Sequence, residues 1–303
     1  MNDFSHTIRN IFKSNDNLNK LLLINVIVFL TIGVLKLIGF LVQSPAYVFV
    51  VDTIVEKVSL PASFSEFIYQ PWSLFSYMFL HSSRDIFHII FNMLWLYWMG
   101  RLLQDFLGTK KLLLVYIWGG ISGGVLFLLA YNFIPVFVTS VFSKTYVIGA
   151  SGAVLAVMTA IATLVPNYEI QMFLFGRVKL KWIAIVMIAI DFLMINGGNA
   201  GGHITHLGGA LFGYLYVYNL KNKTFLGDAL DNFWNWIKKI FKPKKKSKFT
   251  VKNTTTIYYK AEMEDDEPSQ EEVDEILDKI SQSGYGSLSE KEKNILFKAS
   301  KQL

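Results

Sequence analysis

Residues 112–133 read LLLVYIWGGISGGVLFLLAYNF, twenty-two positions without a charged side chain. A helix needs about 20 predominantly apolar residues to cross the roughly 30 Å hydrocarbon core of a bilayer. Five more apolar blocks follow the same logic: 21–42, 86–103, 147–165, 182–195 and 204–220. The 182–195 block is short for a span, so its ends are expected to run into the flanking loops. Hydrocarbon offers no partner to an unpaired backbone group, so all six are expected as helices. The fold class expected is all-α, a polytopic membrane protein with six transmembrane helices in one bundle.

Composition agrees. Of 303 residues, 52% are hydrophobic and 17% charged, against roughly 25% charged in a soluble domain. The absence of cysteine excludes disulfides, thiol nucleophiles and cysteine-ligated metal. Residues 1–20 are polar and mixed, unlike a signal peptide, so the first span is expected to be retained. The net charge of +6 does not point to nucleic acid, because the cations sit beside the spans. Arg9, Lys13 and Lys20 precede the first span, Arg101, Lys110 and Lys111 follow the second, and Arg177, Lys179 and Lys181 follow the fourth. The alternate loops are poorer: 196–202 has no Lys or Arg, and 134–146 has only Lys144. The positive-inside rule then puts both termini in the cytoplasm.

The chain divides by character. Residues 1–20 form a cytoplasmic N-terminus and 21–220 the six-span domain. Within it, 44–83 is rich in aromatic residues, including Tyr47, Phe64, Trp72 and Tyr77. This stretch is expected to lie in the outer interface, where aromatic rings are favoured. Residues 221–248 combine helically spaced Leu226, Leu230, Phe233 and Ile237 with the run KPKKKSK. They suggest an amphipathic segment on anionic lipid. An acidic linker, 249–268, leads to a small helical unit, 269–303. Two capping boxes, Ser269 with Glu272 and Ser289 with Glu292, are expected to open its helices.

The chemistry lies in Gly149-Ala150-Ser151-Gly152, opening the fourth block, and in His206-Leu-Gly-Gly209-Ala-Leu-Phe-Gly213, opening the sixth. An ionisable residue inside a membrane is costly and marks function by default. His206, Gly209 and Gly213 share one helix face. Gly149 and Gly152 flank Ser151, and small residues let helices approach closely. Under the topology above, Ser151 and His206 share an outer depth, where a base can activate a serine. His88 and Asn92, at i and i+4, could donate hydrogen bonds to an oxyanion; the alternative is a polar pair satisfying itself. His203 and His206 have zinc-like spacing, but no His-Glu-x-x-His is present and no acidic residue adjoins them in sequence. No metal or other cofactor is therefore expected. Asp191 could orient His206, but the sequence does not place the two together, and no triad is assigned.

These residues resemble the rhomboid family of intramembrane serine proteases. The resemblance covers roughly residues 72–218. Its anchors are His88-Ile-Ile-Phe-Asn92, Gly149-Ala-Ser-Gly152 and His206-x-x-Gly209-x-x-x-Gly213, in the family's order. It implies Ser151 as nucleophile, His206 as general base, and His88 and Asn92 as oxyanion donors with the Ser151 N–H. It implies transmembrane protein substrates cut near the outer face, and a bacterial cytoplasmic membrane. The sequence departs from the family at Ser73, where arginine is frequent, at Gln104, where glutamate is common, and at Leu155, a tyrosine in some members. A non-catalytic client-binding relative is the alternative reading. A transporter would show inverted repeats, which the sequence lacks.

Overall fold

Each of the six apolar blocks is a helix. A computed structural model describes residues 11–12, 14, 16–83, 85–138, 145–172, 176–222 and 269–299. The chain forms two compact units, 1–241 and 242–303. In the first, α1 (Asn17–Val42) starts where the Asp16 carboxylate accepts from the Leu18 and Asn19 N–H groups. Four short helices belong to connections: α2 (Pro45–Val58), α3 (Phe64–Phe67), α4 (Ser73–Ser76) and, after two long helices, α7 (Pro135–Val138). The remaining helices of this unit are α5 (Ile86–Leu107), α6 (Thr109–Phe133), α8 (Ser151–Leu164), α9 (Leu180–Leu193) and α10 (Ala200–Asn222).

Among the described residues, α1, α5 and α6 are long and apolar enough to cross a membrane by themselves. Large apolar side chains stand exposed on the outside of the bundle, among them Leu30, Phe40, Phe91, Trp98, Val186 and Phe192. Water would not tolerate that surface; lipid does. The protein is an integral membrane protein of all-α class.

The fourth block differs from its expected start at 147. Tyr146 and Val147 form a strand, β2, that pairs antiparallel with β1 (Leu60–Pro61), placing Leu60 opposite Val147. The helix begins only at Ser151. At 14 residues, α8 covers about 21 Å, less than the roughly 30 Å of hydrocarbon. It is walled in by α10, α6, α5 and α9, and residues 152–162 are all buried. A hairpin of β3 (Glu169–Met172) and β4 (Gly176–Lys179) leads from α8 into α9.

Glycines set the spacing at the centre. A Cβ on Gly209 would fall on the Gly152 carbonyl, and one on Gly213 on the Ala156 carbonyl. Gly123 of α6 and Gly152 of α8 both face Thr205 of α10. The backbones of three helices therefore lie in contact, as small residues permit in lipid.

The aromatic stretch before α5 folds onto this core. Tyr77 and Met78 are fully buried. The Tyr77 hydroxyl donates to the Gly120 carbonyl, and the Tyr116 hydroxyl to that of Met78 at 3.2 Å. Trp72 donates its indole N–H to the Lys57 carbonyl while its ring stays exposed.

In the second unit, α11 (Gln270–Ser283) and α12 (Glu290–Ala299) each open on the expected Ser–Glu box. Ile276 is buried, but Leu277 is exposed because the pair covers only a narrow stripe. The expected amphipathic segment and linker fall mostly on 223–268, outside the described residues.

The glycine contact gives a stability prediction. Gly209→Ala should destabilise the bundle by about 1–3 kcal/mol, because the added methyl meets backbone that cannot yield. Gly33→Ala, whose Cβ would meet nothing, serves as control. Melting temperatures in detergent should drop for the first variant only; equal temperatures would refute the packing argument.

Candidate active site

Ser151 is the first residue of α8. The chain reaches it through Gly149 at φ +132°, a conformation that other residues rarely adopt. The Gly149 N–H donates to the Tyr77 carbonyl at 3.0 Å, tying this turn to the 44–83 stretch. The first N–H groups of a helix lack intrahelical acceptors and carry the positive end of its dipole. Negative charge placed beside Ser151 would meet that end.

His206 lies in the second turn of α10, and its Nε2 is 2.6 Å from the Ser151 Oγ. On the far side of the ring, Nδ1 is 2.7 Å from Oδ1 of Asp191, a residue of α9. The Nδ1 of His203, one turn earlier, is 2.8 Å from the same oxygen. Asp191 is 5% exposed, and both imidazoles are partly open. The three ligand-type atoms lie within 4.8 Å of one another. A tetrahedral zinc at ~2.0–2.1 Å from its ligands would separate them by roughly 3.3 Å. The observed separations are those of hydrogen bonds to one carboxylate oxygen.

His88 enters from α5, its N–H accepted by the Asp85 carboxylate. A Cβ built on Gly149 would lie 3.2 Å from the His88 ring and 3.4 Å from the Ser151 Oγ. A side chain at 149 would therefore crowd the imidazole, and glycine lets the ring and the hydroxyl lie close to the backbone. Asn92, one turn along α5, is buried, and its amide nitrogen sits 3.4 Å from Nε2 of His81. The His81 and His88 rings are 5.5 Å apart, edge to face.

Together these residues form two clusters. His206, Asp191 and His203 make one with Ser151, and His88, His81 and Asn92 make the other. Sequence reasoning did not assign Asp191, His203 or His81 to the site. The only available signals were a lone acid within an apolar block and the sequence separations of the histidines.

The family described as Rhomboid domain matches residues 69–223, half of the chain. The chain belongs to the rhomboid family. Its rhomboid domain holds every residue of both clusters. A second match, to a family of unknown function (DUF6576), covers residues 264–302 and so takes in α11 and α12.

Among curated relatives, RHOMBOID-like protein 12, mitochondrial, of Arabidopsis thaliana is 33% identical over 138 residues, 43% of this chain and 41% of that protein. Presenilin-associated rhomboid-like protein A, mitochondrial, of Danio rerio is 30% identical over 150 residues, 45% of this chain and 34% of its own. Presenilin-associated rhomboid-like protein, mitochondrial, of Homo sapiens is 32% identical over 149 residues, 45% and 35%. This rhomboid chain thus spans well under half the length of the relatives it matches. All three carry a mitochondrial description, whereas the sequence reading expected a bacterial membrane.

His81 supplies a pH prediction. Burial, and then the neighbouring His88, pushes its imidazole down to about 4. The neutral ring is favoured in the fold, so its contribution is present above the unfolded value of about 6.5 and is lost as pH falls toward 4. The loss should reach roughly 3 kcal/mol. Melting temperatures measured between pH 7.5 and 4.5 should fall more steeply for the wild type than for His81→Gln; parallel curves would contradict this account.

Proposed function

We propose that this chain is an intramembrane serine endopeptidase that cuts transmembrane proteins near the outer membrane face. The observation that carries this reading is the 2.6 Å contact between the Ser151 Oγ and the His206 Nε2, within the range a base needs to activate a hydroxyl.

Ser151 attacks the scissile carbonyl carbon, and its proton passes to His206 Nε2. The carbonyl electron pair moves to oxygen. That oxygen settles beside Gly149, with the Ser151 N–H at a helix start and the His88 imidazole as its donors. Preorganised donors of this kind usually supply the largest share of catalysis. Asn92 joins them by exchanging its 3.4 Å contact with His81, which is too long to be a strong bond. The proton on Nε2 then goes to the leaving amine. Water takes the serine's place in the second half-reaction, reaching it past the partly open His203 and His206.

The short α8 supports a site below the membrane surface. If its end at Leu164 lies at the inner face, Ser151 is recessed by about 9 Å, the shortfall of a 14-residue helix against the hydrocarbon core. A helix buries its own carbonyls in hydrogen bonds, so a substrate must unwind locally to be cut. The same reading puts both termini in the cytoplasm, with the basic 242–248 run at anionic lipid.

Ser151→Ala should lower cleavage of a reporter transmembrane substrate by at least about 10³-fold. Fluorophosphonate labelling of the purified protein should disappear with it. Undiminished cleavage would overturn the assignment, and wild-type protein that binds the reporter without cutting it would favour a client-binding relative.

A further inference from the structure

Resting on the Ser151–His206 reading, we propose that Asp191 is the positioning residue for His206 and that His203 is the second clamp on the same carboxylate. An imidazole has one proton to place between two nitrogens when neutral. A carboxylate 2.7 Å from Nδ1 holds the proton there. The lone pair of Nε2 is then free to face the serine hydroxyl at 2.6 Å. Without the carboxylate, the opposite tautomer is open to the ring, and that tautomer cannot accept the serine proton.

The cost of Asp191 supports a role beyond packing. Residues 182–195 hold one charged side chain, Asp191 itself. A buried carboxylate in such surroundings is retained only where it is paired. Both of its imidazole partners come from one helix, at i and i+3 on α10. His203 fixes Oδ1 from a second direction, so the carboxylate cannot swing away from His206. The two rings meet edge to face with centroids 6.0 Å apart, so neither blocks the other.

The charges balance through the reaction. The serine proton moves to Nε2 as the bond between Oγ and the carbonyl carbon forms. The ring becomes an imidazolium whose Nδ1–H still points at the Asp191 carboxylate. That ion pair stabilises the charge-separated intermediate. The carbon–nitrogen bond then breaks, Nε2 gives its proton to the departing amine, and the ring returns to its starting tautomer. Asp191 stays ionised throughout.

The test uses the full chain purified in detergent. Asp191→Asn should cut kcat by at least about 100-fold with KM unchanged, as expected when a catalytic histidine loses its tautomer. The rate of fluorophosphonate labelling at Ser151 should fall in parallel. Asp191→Glu, which keeps a carboxylate, should restore part of both rates, and His203→Gln should cost less than Asp191→Asn. Nitrogen-15 shifts of histidine-labelled wild-type protein read the tautomer directly, whether or not the variants fold; a proton on Nδ1 of His206 is expected. A proton resident on Nε2 overturns the proposal, as does a folded Asp191→Asn protein that labels at the wild-type rate. A wild-type chain that never labels at Ser151 overturns the protease reading and this proposal with it.

Discussion

The separation of α8 and α10 is set by backbone meeting backbone. At Gly209 and Gly213 a methyl group would occupy space already held by α8 carbonyls. In lipid there is little hydrophobic gain from bringing two helices together, so close packing of this kind has to supply the attraction. The serine–histidine contact is a by-product of that closeness. Ser151 stands one residue before Gly152, and His206 three residues before Gly209. Once Gly209 rests on Gly152, the hydroxyl and the imidazole have little choice but to meet.

A bundle surrounded by hydrocarbon must also satisfy each polar group from within. Asn25 donates to the Leu21 carbonyl and to the Tyr116 hydroxyl, which in turn donates to the Met78 carbonyl. Asn132 of α6 donates to the Ala62 and Leu128 carbonyls. These bonds fasten the stretch 44–83 to α1 and α6, while the β1–β2 bridge and the Tyr77 carbonyl fasten it to the approach to Ser151. The stretch is folded and anchored structure, and the exposed faces of Tyr69, Trp72 and Phe75 are what it presents outward.

Sequence patterning revealed the helices because apolar blocks of this length have few other fates. It located Ser151, His206 and the glycines because spacing on one helix face is written along the chain. The pairing of Asp191 with two histidines is not written there. Periodicity assigns a residue to a face, but only tertiary structure says which helix that face meets. His81 escaped for a similar reason: it precedes α5 by several residues, and its approach to Asn92 depends on how the loop turns. The late start of α8 was hidden too, since Val147 and Ile148 are apolar enough to pass for the beginning of a span until the pairing of Val147 with Leu60 is seen.

The shortness of α8 has a consequence for how the protein meets different membranes. Bilayers vary in thickness, and helices that touch lipid respond by tilting or by distorting the lipid around them. Helices α1, α5 and α9 carry many of the outward apolar side chains and will feel such changes. Helix α8 is buried along residues 152–162, so that stretch meets neighbouring helices and has no direct contact with the surrounding acyl chains. A change in bilayer thickness reaches the inner rod only through the helices that wall it in.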